Sequence, residues 1–211
     1  TLILAGNNSY TGNSNLSGGT IGLASPSALG TAGTFSLTGG TSLYGTGNTT
    51  DYSDRFSHVA NQSYNVNTNG QVVTFASALD SHGGTLTKEG DGTLILSGNN
   101  TYTGVTTIQA GTLQVGSGSN TGAISDASSI VNHSILAFRL SNATTYAGQI
   151  SGSGSLAQIG LGTLALSGLN SYTGATTITD GSTLALWGSG SISTSSGVLN
   201  LSLIHISEPT R

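Results

Sequence analysis

Asp80-Ser81-His82 places a carboxylate, a hydroxyl and an imidazole side by side, the three groups that nucleophilic catalysis uses. The members of a catalytic triad converge in space. Adjacent residues of an extended segment, in contrast, point to opposite faces. We therefore predict a polar corner at these three residues and no nucleophilic site.

Two other spacings resemble parts of metal sites. Asp54 and His58 are four residues apart and would meet on a helix, but zinc requires three or four ligands. Asp91, between two glycines, resembles half of a calcium-binding turn, yet the corresponding position of a later, similar segment is Leu161. We predict a solvated loop and a corner respectively, with no metal ligand and no cofactor site.

Cleavage of a polysaccharide by acid–base chemistry requires at least two neighbouring carboxylates. Asp51 and Asp54 are close together in the sequence, within the segment 44–62, which also contains Arg55 and His58. This segment lacks the strand pattern found elsewhere, and we expect a loop that leaves the body of the fold. A polysaccharide-degrading enzyme with its active carboxylates in this loop is the alternative function, although we predict no catalytic residue.

The elements that would position such groups come from a repeated block. Residues 92–115 read GTLILSGNNTYTGVTTIQAGTLQV, and similar blocks occupy 162–186 and 1–23. A short repeat of this kind is typical of stacked structural units and not of a globular core. The repetition therefore favours a rod over an enzyme.

Each block contains three short strand signals separated by turns. Leu94 and Leu96 share one face of the first strand, and the glycine and asparagines that follow predict a turn. Residues 106–109 and 112–115 supply the second and third strands. We predict that the three strands form the sides of one coil in a parallel β-helix with roughly 23 residues per coil.

Three tyrosines of the repeat have spacings that agree with this coil length. The interval from Tyr10 to Tyr102 is close to four coils, and the interval from Tyr102 to Tyr172 is close to three. This agreement would give the three tyrosines one common position in the coil. The whole β-helix would then contain about nine coils and form a rod on the order of 40 Å long.

Composition argues against several other classes of protein. Charged residues make up 6% of the 211-residue chain, the net charge is −4, and the four Lys and Arg residues are too dispersed for a nucleic-acid-binding face. No run of 18 apolar residues predicts a transmembrane helix. The mean hydropathy of +0.07 and the recurring β-branched residues favour a folded chain over a disordered one. The absence of cysteine is compatible with export.

The blocks at 92–115 and 162–186, with the segments that precede them, resemble the passenger-associated β-strand repeat of bacterial autotransporters. The resemblance rests on the order GTL-x-LSG-x-N-x-YTG-x-TT, from which the first copy departs at residues 13–15. It implies an all-β fold, a right-handed single-stranded parallel β-helix. It also implies a passenger displayed on the outside of a Gram-negative cell or secreted, with a C-terminal outer-membrane β-barrel of the same chain as its partner.

Repetition without a convergent polar cluster predicts a structural stalk or adhesin-like rod. Such a rod would bind host or bacterial surface glycans and proteins along a face rich in Thr, Asn and Ser. The open ends of a stack also predict self-association, because unpaired strand edges tend to pair. Trp187, the single tryptophan, is either an exposed ring that stacks on a sugar or a packing residue at a strand end, and we favour packing.

The sequence divides at residue 200. Residues 1–200 are predicted to form the β-helix, with the loop at 44–62. Residues 201–211, LSLIHISEPTR, break the pattern and resemble a translated sequencing-library adapter, with a natural terminal strand as the alternative. Because the chain starts within the pattern, we expect a fragment of a longer passenger that continues past Asn200 towards the barrel.

Overall fold

The chain is a stack of short parallel β-strands with almost no helix. The computed structural model describes residues 1–179 and 181–202, so most of the expected adapter segment, 203–211, lies outside the described residues. The helical content of the described part is one 3-10 turn, Ser53–Arg55, and no helix in it is long and apolar enough to cross a membrane. The predicted all-β parallel β-solenoid is confirmed, with about nine turns. Its right-handed sense stays a prediction.

Three sheets form the sides of the coil, and all their strands pair in parallel. The first sheet contains, in spatial order, β1 (Leu2–Leu4), β2 (Ser14–Leu23), β3 (Phe35–Tyr44), β4 (Ser63–Asn67), β6 (Thr85–Glu89), β8 (Thr106–Ile108), β10 (Ile130–Asn132) and β13 (Ile150–Ser151). The second sheet contains β5 (Val72–Phe75), β7 (Thr93–Leu96), β9 (Thr112–Val115), β11 (Ile135–Phe138), β14 (Ser155–Gln158), β16 (Thr176–Ile178) and β18 (Val198–Asn200). The third sheet contains β12 (Thr144–Tyr146), β15 (Thr163–Leu166) and β17 (Thr183–Leu186).

Coil length varies along the stack. Leu2 pairs with Ile21 in a short coil near the start of the chain, whereas Thr106 pairs with Ile130 in a longer one. Variation is tolerated because the connections between strands differ in length while the paired strands keep their register. The predicted length of roughly 23 residues lies between these two spacings.

The repeated block does not form one coil, contrary to the prediction from its three strands. β7 and β9, its first and third strands, pair with each other in the second sheet, with Leu94 beside Leu113. β8 lies in the first sheet and pairs with β6, which precedes the block. The block therefore extends over two successive coils, because its GTL motif recurs after one coil length, from Thr93 to Thr112.

The copy at 162–186 is rotated by one side of the coil relative to the copy at 92–115. Its two GTL strands, β15 and β17, pair with each other in the third sheet, whereas β7 and β9 lie in the second. Its TT strand, β16, lies in the second sheet, whereas β8 lies in the first. Equivalent residues of the two copies therefore face different sides of the rod.

This rotation follows from the coil lengths. Thr106 is in register with Ile130 and then with Ile150, and one coil further on the Ser171 N–H donates to the Ile150 carbonyl. Three coils after Thr106 thus end near Ser171, whereas the repeat places its counterpart at Thr176.

The common position predicted for the three tyrosines is wrong. Four coils after Leu2 the register reaches Lys88, whereas the repeat places the counterpart of Leu2 at Leu94, so the first copy is also displaced relative to the copy at 92–115.

A continuous column of apolar side chains forms the core behind the second sheet. Val73, Leu94, Leu113, Leu136 and Leu156 are in register on successive coils and are fully buried. Burial of one such side chain stabilises the fold by about 1.5–3 kcal/mol. Since each coil supplies few of them, the continuity of the column from coil to coil, and not a central cluster, stabilises the rod.

Candidate functional site

The side chains of Asp80, Ser81 and His82 point in different directions. Ser81 is fully buried, and its hydroxyl donates to the Val59 carbonyl and accepts from the Gln62 N–H. Asp80 and His82 are exposed at the surface. The Ser81 hydroxyl therefore forms hydrogen bonds between two coils in the interior, where a substrate at the surface does not reach it.

Asp80 pairs with His58 from the preceding coil. His58 Nδ1 lies 2.6 Å from Asp80 Oδ1, and this is the one close contact between a basic and an acidic side chain among residues 1–179 and 181–202. The side chains are 69% and 40% exposed, so solvent screens their attraction. Sequence spacing suggested Asp54 as the neighbour of His58. The coil length is the signal that identifies the true partner, since His58 and Asp80 are 22 residues apart.

The Asp51 carboxylate holds two coils together. One of its oxygens accepts the Ser53 N–H and the other accepts the Ala76 N–H on the next coil, both at 2.8 Å. Asp54 is exposed in the neighbouring 3-10 turn. In the described part of the chain, no surface cavity is found and no three His, Cys, Asp or Glu side chains are grouped to hold a metal ion.

The segment 44–62 closes the third side of its coil. Tyr52 and Phe56 are buried, and Phe56 forms a parallel bridge with Phe35 on the preceding coil. Arg55 Nε donates to the Gly33 carbonyl at 2.9 Å. Hydrogen bonds thus hold Asp51 and Arg55 against the stack, whereas Asp54 and His58 are exposed.

The YTG-x-TT motif of the repeat builds a chain of buried hydroxyl groups. The Tyr102 hydroxyl lies 2.6 Å from Thr106 Oγ1, which lies 2.9 Å from Ser128 Oγ on the next coil. All three side chains are fully buried. Burial raises the pKa of Tyr102 well above its ordinary value, so its phenol remains a neutral hydrogen-bonding group.

The three-hydroxyl chain recurs in the last copy of the repeat, and only its first contact, at an exposed site, is found in the first copy. In the last copy the Tyr172 hydroxyl lies 2.7 Å from Thr176 Oγ1, which lies 3.0 Å from Ser195 Oγ. In the first copy Ser14 stands in place of the threonine, and its hydroxyl donates to the Tyr10 hydroxyl at 3.2 Å. The spacing of four residues in the motif is therefore explained by a structural hydrogen bond and not by a binding site.

Lys88 is a buried cation that caps a corner of the coil. Its Nζ donates to the carbonyls of Glu89, Gly90 and Ala110 at 2.8, 2.6 and 3.2 Å. Burial lowers the pKa of Lys88 to about 8, and the nearby carboxylates of Asp91 and Glu89 partly oppose this shift. The three carbonyls accept all the hydrogen bonds that the ammonium group can donate. Lys88 is therefore not available to bind a ligand at the surface.

The free energy of unfolding is expected to rise with pH because of Lys88. Its pKa in the folded chain is about 8 and its ordinary value is 10.5, so the folded state binds fewer protons than the unfolded state between those values. We expect a gain of about 1–2 kcal/mol from pH 7 to 9.5. Urea unfolding at a series of pH values measures the slope. At higher pH, ionisation of tyrosines in the unfolded chain acts in the opposite direction.

Lys88→Gln is the matched control for this pH dependence. The later copy has Gln158 at the corresponding position, and its Nε2 donates to the Gly160 and Gly162 carbonyls at 3.1 and 2.9 Å. The variant keeps a corner donor and removes the titrating group, so the rise should disappear. An unchanged slope in K88Q would show that another group titrates.

The outer face of the first sheet presents an uncharged row of side chains along the rod. Asn65, Thr87, Thr107, Val131 and Ser151 are in register on five successive coils. Neighbouring strands of a sheet are about 4.8 Å apart, so these side chains form a regular line. All five are half-buried and face outward, because their strand neighbours point into the core. We call this row the outer ladder.

Trp187 lies at the surface, and the prediction that it packs against the fold is wrong. Its side chain is 60% exposed. It follows directly after β17, and its carbonyl accepts the Gly190 N–H in a tight turn. The residue after Leu186 points outward by alternation. β17 is also the last strand of the third sheet in the described residues, and Leu186 beside the tryptophan is 44% exposed at this edge.

The matches to known proteins coincide with the repeat. Residues 1–23, 86–115 and 156–186 match the passenger-associated-transport-repeat family. The chain is also similar to the adhesin BmaC autotransporter of Brucella suis biovar 1 (strain 1330), with 40% identity over 177 residues, 74% of this chain and 4% of that relative. No solved structure matches the chain significantly. The three matched segments lie on successive parts of one parallel β-solenoid, so the chain carries passenger-associated-transport repeats and is similar to one stretch of an autotransporter adhesin.

Proposed function

We propose that the chain is a stretch of a passenger that acts as a stalk and adhesin-like rod, displayed at the surface of a Gram-negative cell or secreted. The observation that carries the proposal is the stack itself, in which buried polar groups such as Ser81 and Thr106 are used in bonds between coils. A relative named as an adhesin autotransporter supports it. In the full-length protein the membrane partner is a C-terminal outer-membrane β-barrel.

Contact with host or bacterial surface glycans and proteins is spread along the outer ladder. The hydroxyls of Thr87 and Thr107 can donate and accept hydrogen bonds without a net charge. The Asn65 amide and the Ser151 hydroxyl already donate to the Gly40 and Ile130 carbonyls and offer a ligand their remaining acceptors. Each exposed hydrogen bond exchanges with water and contributes little, whereas many aligned contacts add up. A rod with a polar row therefore suits adhesion better than recognition of one small molecule.

The rod is a binding and structural element and not an enzyme. Asp51, the first carboxylate of the polysaccharide-degrading alternative, is held by two backbone N–H groups that bridge coils. We therefore expect Asp51→Asn to lower stability, whereas Asp54→Asn should leave both stability and adhesion unchanged.

Adhesion of the displayed passenger tests this proposal. The chain, joined to a secretion signal and an outer-membrane barrel, should become accessible to external protease and make cells adhere to glycan-coated surfaces. Thr87→Ala or Thr107→Ala alone should weaken adhesion about twofold each, and changes along the whole ladder should weaken it far more. Thr74→Ala, on the outer face of the second sheet, is the matched control. Complete loss from one ladder substitution would contradict distributed contact.

A further inference from the structure

The later repeat copy exposes three apolar side chains on a surface that is otherwise small and polar. Leu161, Leu169 and Trp187 are 76%, 65% and 60% exposed. Their counterparts in the earlier copy, aligned through the GTL and YTG motifs, are Asp91, Asn99 and Gly116.

The interior residues Leu94, Leu96 and Tyr102 keep their types as Leu164, Leu166 and Tyr172. The shared interior therefore does not account for the exposed Leu169 in place of Asn99.

Trp187 and Leu169 lie on successive coils at the corner that follows the third sheet. The Ser189 hydroxyl donates to the Ser167 carbonyl at 3.0 Å, and Leu169 forms a parallel bridge with Ser191. These bonds between coils hold the backbone on either side of the two apolar residues in register. Both side chains therefore project from one corner, which we call the Trp187 corner.

The Trp187 corner combines an aromatic ring with hydroxyl groups. Its charged neighbour on the preceding coils is the exposed Asp126, whose Oδ1 accepts the Ala147 N–H one coil before Ser167, and this carboxylate disfavours an acidic ligand. Ser189 and Ser193, in the segment after the tryptophan, are exposed. From residue 140 to residue 202 the sequence contains one charged residue, Asp180, which lies outside the described residues. A ligand that complements this surface is neutral, with an apolar face and hydroxyl groups at its edge.

A pyranose ring of a neutral glycan has this chemistry. One face of the ring carries C–H groups, which are attracted to the negative π face of an indole, and the rim carries hydroxyls that bond to serines. A protein partner would need about 800 Å² on each side for a stable interface. A tryptophan offers about 150–250 Å², an area that suits one or two sugar rings.

We propose that Trp187 and Leu169 form a stacking site for a pyranose unit of a neutral glycan. The site deepens the proposed function, on which it rests, because it gives the rod one point of stronger contact besides the outer ladder. The indole supplies the stacking surface and Leu169 extends it. The neighbouring serines select hydroxylated over purely apolar ligands.

Tryptophan fluorescence of the whole chain tests the site directly, since Trp187 is the single tryptophan. Titration with cellohexaose and with maltohexaose should give a saturable change in emission for at least one, with a dissociation constant on the order of 1 mM. Hexagalacturonate, the acidic counterpart, should give none, because the sequence from 140 to 202 contains no cation to compensate its charge. Absence of a saturable change with both neutral sugars would overturn the proposal.

Two variants separate the site from the rest of the rod. Leu169→Asn, which installs the residue of the earlier copy, should weaken sugar binding about tenfold with an unchanged unfolding midpoint. Val72→Thr removes another exposed apolar side chain, on the second sheet, and should leave binding unchanged. Equal affinity of L169N and the parent chain, or a response to detergent micelles and not to sugars, would contradict a glycan site.

The adhesion measurement keeps this proposal distinct from the proposed function. Cells that adhere through the rod while Trp187 does not respond to either neutral sugar would overturn the stacking site alone. Saturable sugar binding by a chain that never confers adhesion would support the site and contradict the adhesin-like role.

Discussion

Gly92→Ala is expected to lower the free energy of unfolding by about 2–5 kcal/mol. Gly92 has a φ of +85°, where an L side chain is strained, and an added Cβ would clash with the Gln71 carbonyl oxygen of the preceding coil. The clash is with backbone, which cannot move without opening the spacing of paired strands. Relief of the clash would therefore disturb the pairing of β5 with β7, the strands that follow Gln71 and Gly92.

Gly70→Ala is the matched control for this effect. Gly70 has nearly the same φ, +80°, but an added Cβ there meets no atom within 4 Å. Its cost should be limited to the left-handed backbone, about 1–2 kcal/mol. Urea unfolding of the two variants measures the difference. Equal losses would show that the approach of successive coils at Gly92 does not limit stability.

Thr106→Val is expected to destabilise the chain by about 2–3 kcal/mol, although it preserves the shape of the side chain. Thr106 Oγ1 is the middle of the buried chain between the Tyr102 hydroxyl and Ser128 Oγ. Its loss deprives two buried hydroxyls of a partner at once. Thr107→Val, one residue along the same strand but facing outward, should change stability by no more than about 0.5 kcal/mol.

A double substitution tests whether the hydroxyls act as one network. Tyr102→Phe removes one end of the chain and should cost about 1 kcal/mol. Tyr102→Phe combined with Thr106→Val should cost less than the sum of the two, because the second change no longer leaves the phenol unpaired. Strict additivity, or equal effects of T106V and T107V in thermal unfolding, would contradict the network.

The interior and the exterior of the repeat follow different constraints. Tyr172 and Thr176 keep the same hydroxyl contact as in the earlier copy, although that copy lies one side of the coil away. The contact depends on a spacing of four residues and not on which sheet carries it. Outward positions have no such requirement, so the exposed Leu169 can stand where the earlier copy has the exposed Asn99. Specific binding can therefore vary from copy to copy on a constant core.

Much of the fold follows from the sequence because its signals are local. The alternation at Leu94 and Leu96, the glycine and asparagine turns and the repeat of the block are enough to predict short strands, corners and a parallel stack. Side-chain alternation and turn preference depend on a few neighbouring residues, and they hold wherever the segment lies in the coil. The class of fold and the absence of a triad at Asp80-Ser81-His82 could be inferred in this way.

The pairing of strands could not be inferred in the same way. Register depends on the total length of each coil, and coils of unequal length shift every later position. The accumulated coil length determines that β7 pairs with β9 and that His58 contacts Asp80. It also determines that the last copy of the repeat lies in a different sheet from the copy at 92–115. Whether an outward residue such as Trp187 remains exposed also depends on neighbouring coils. Strand pairing and the exposure of outward residues depend on contacts between residues that lie a full coil apart in the sequence. A local sequence pattern does not contain that information.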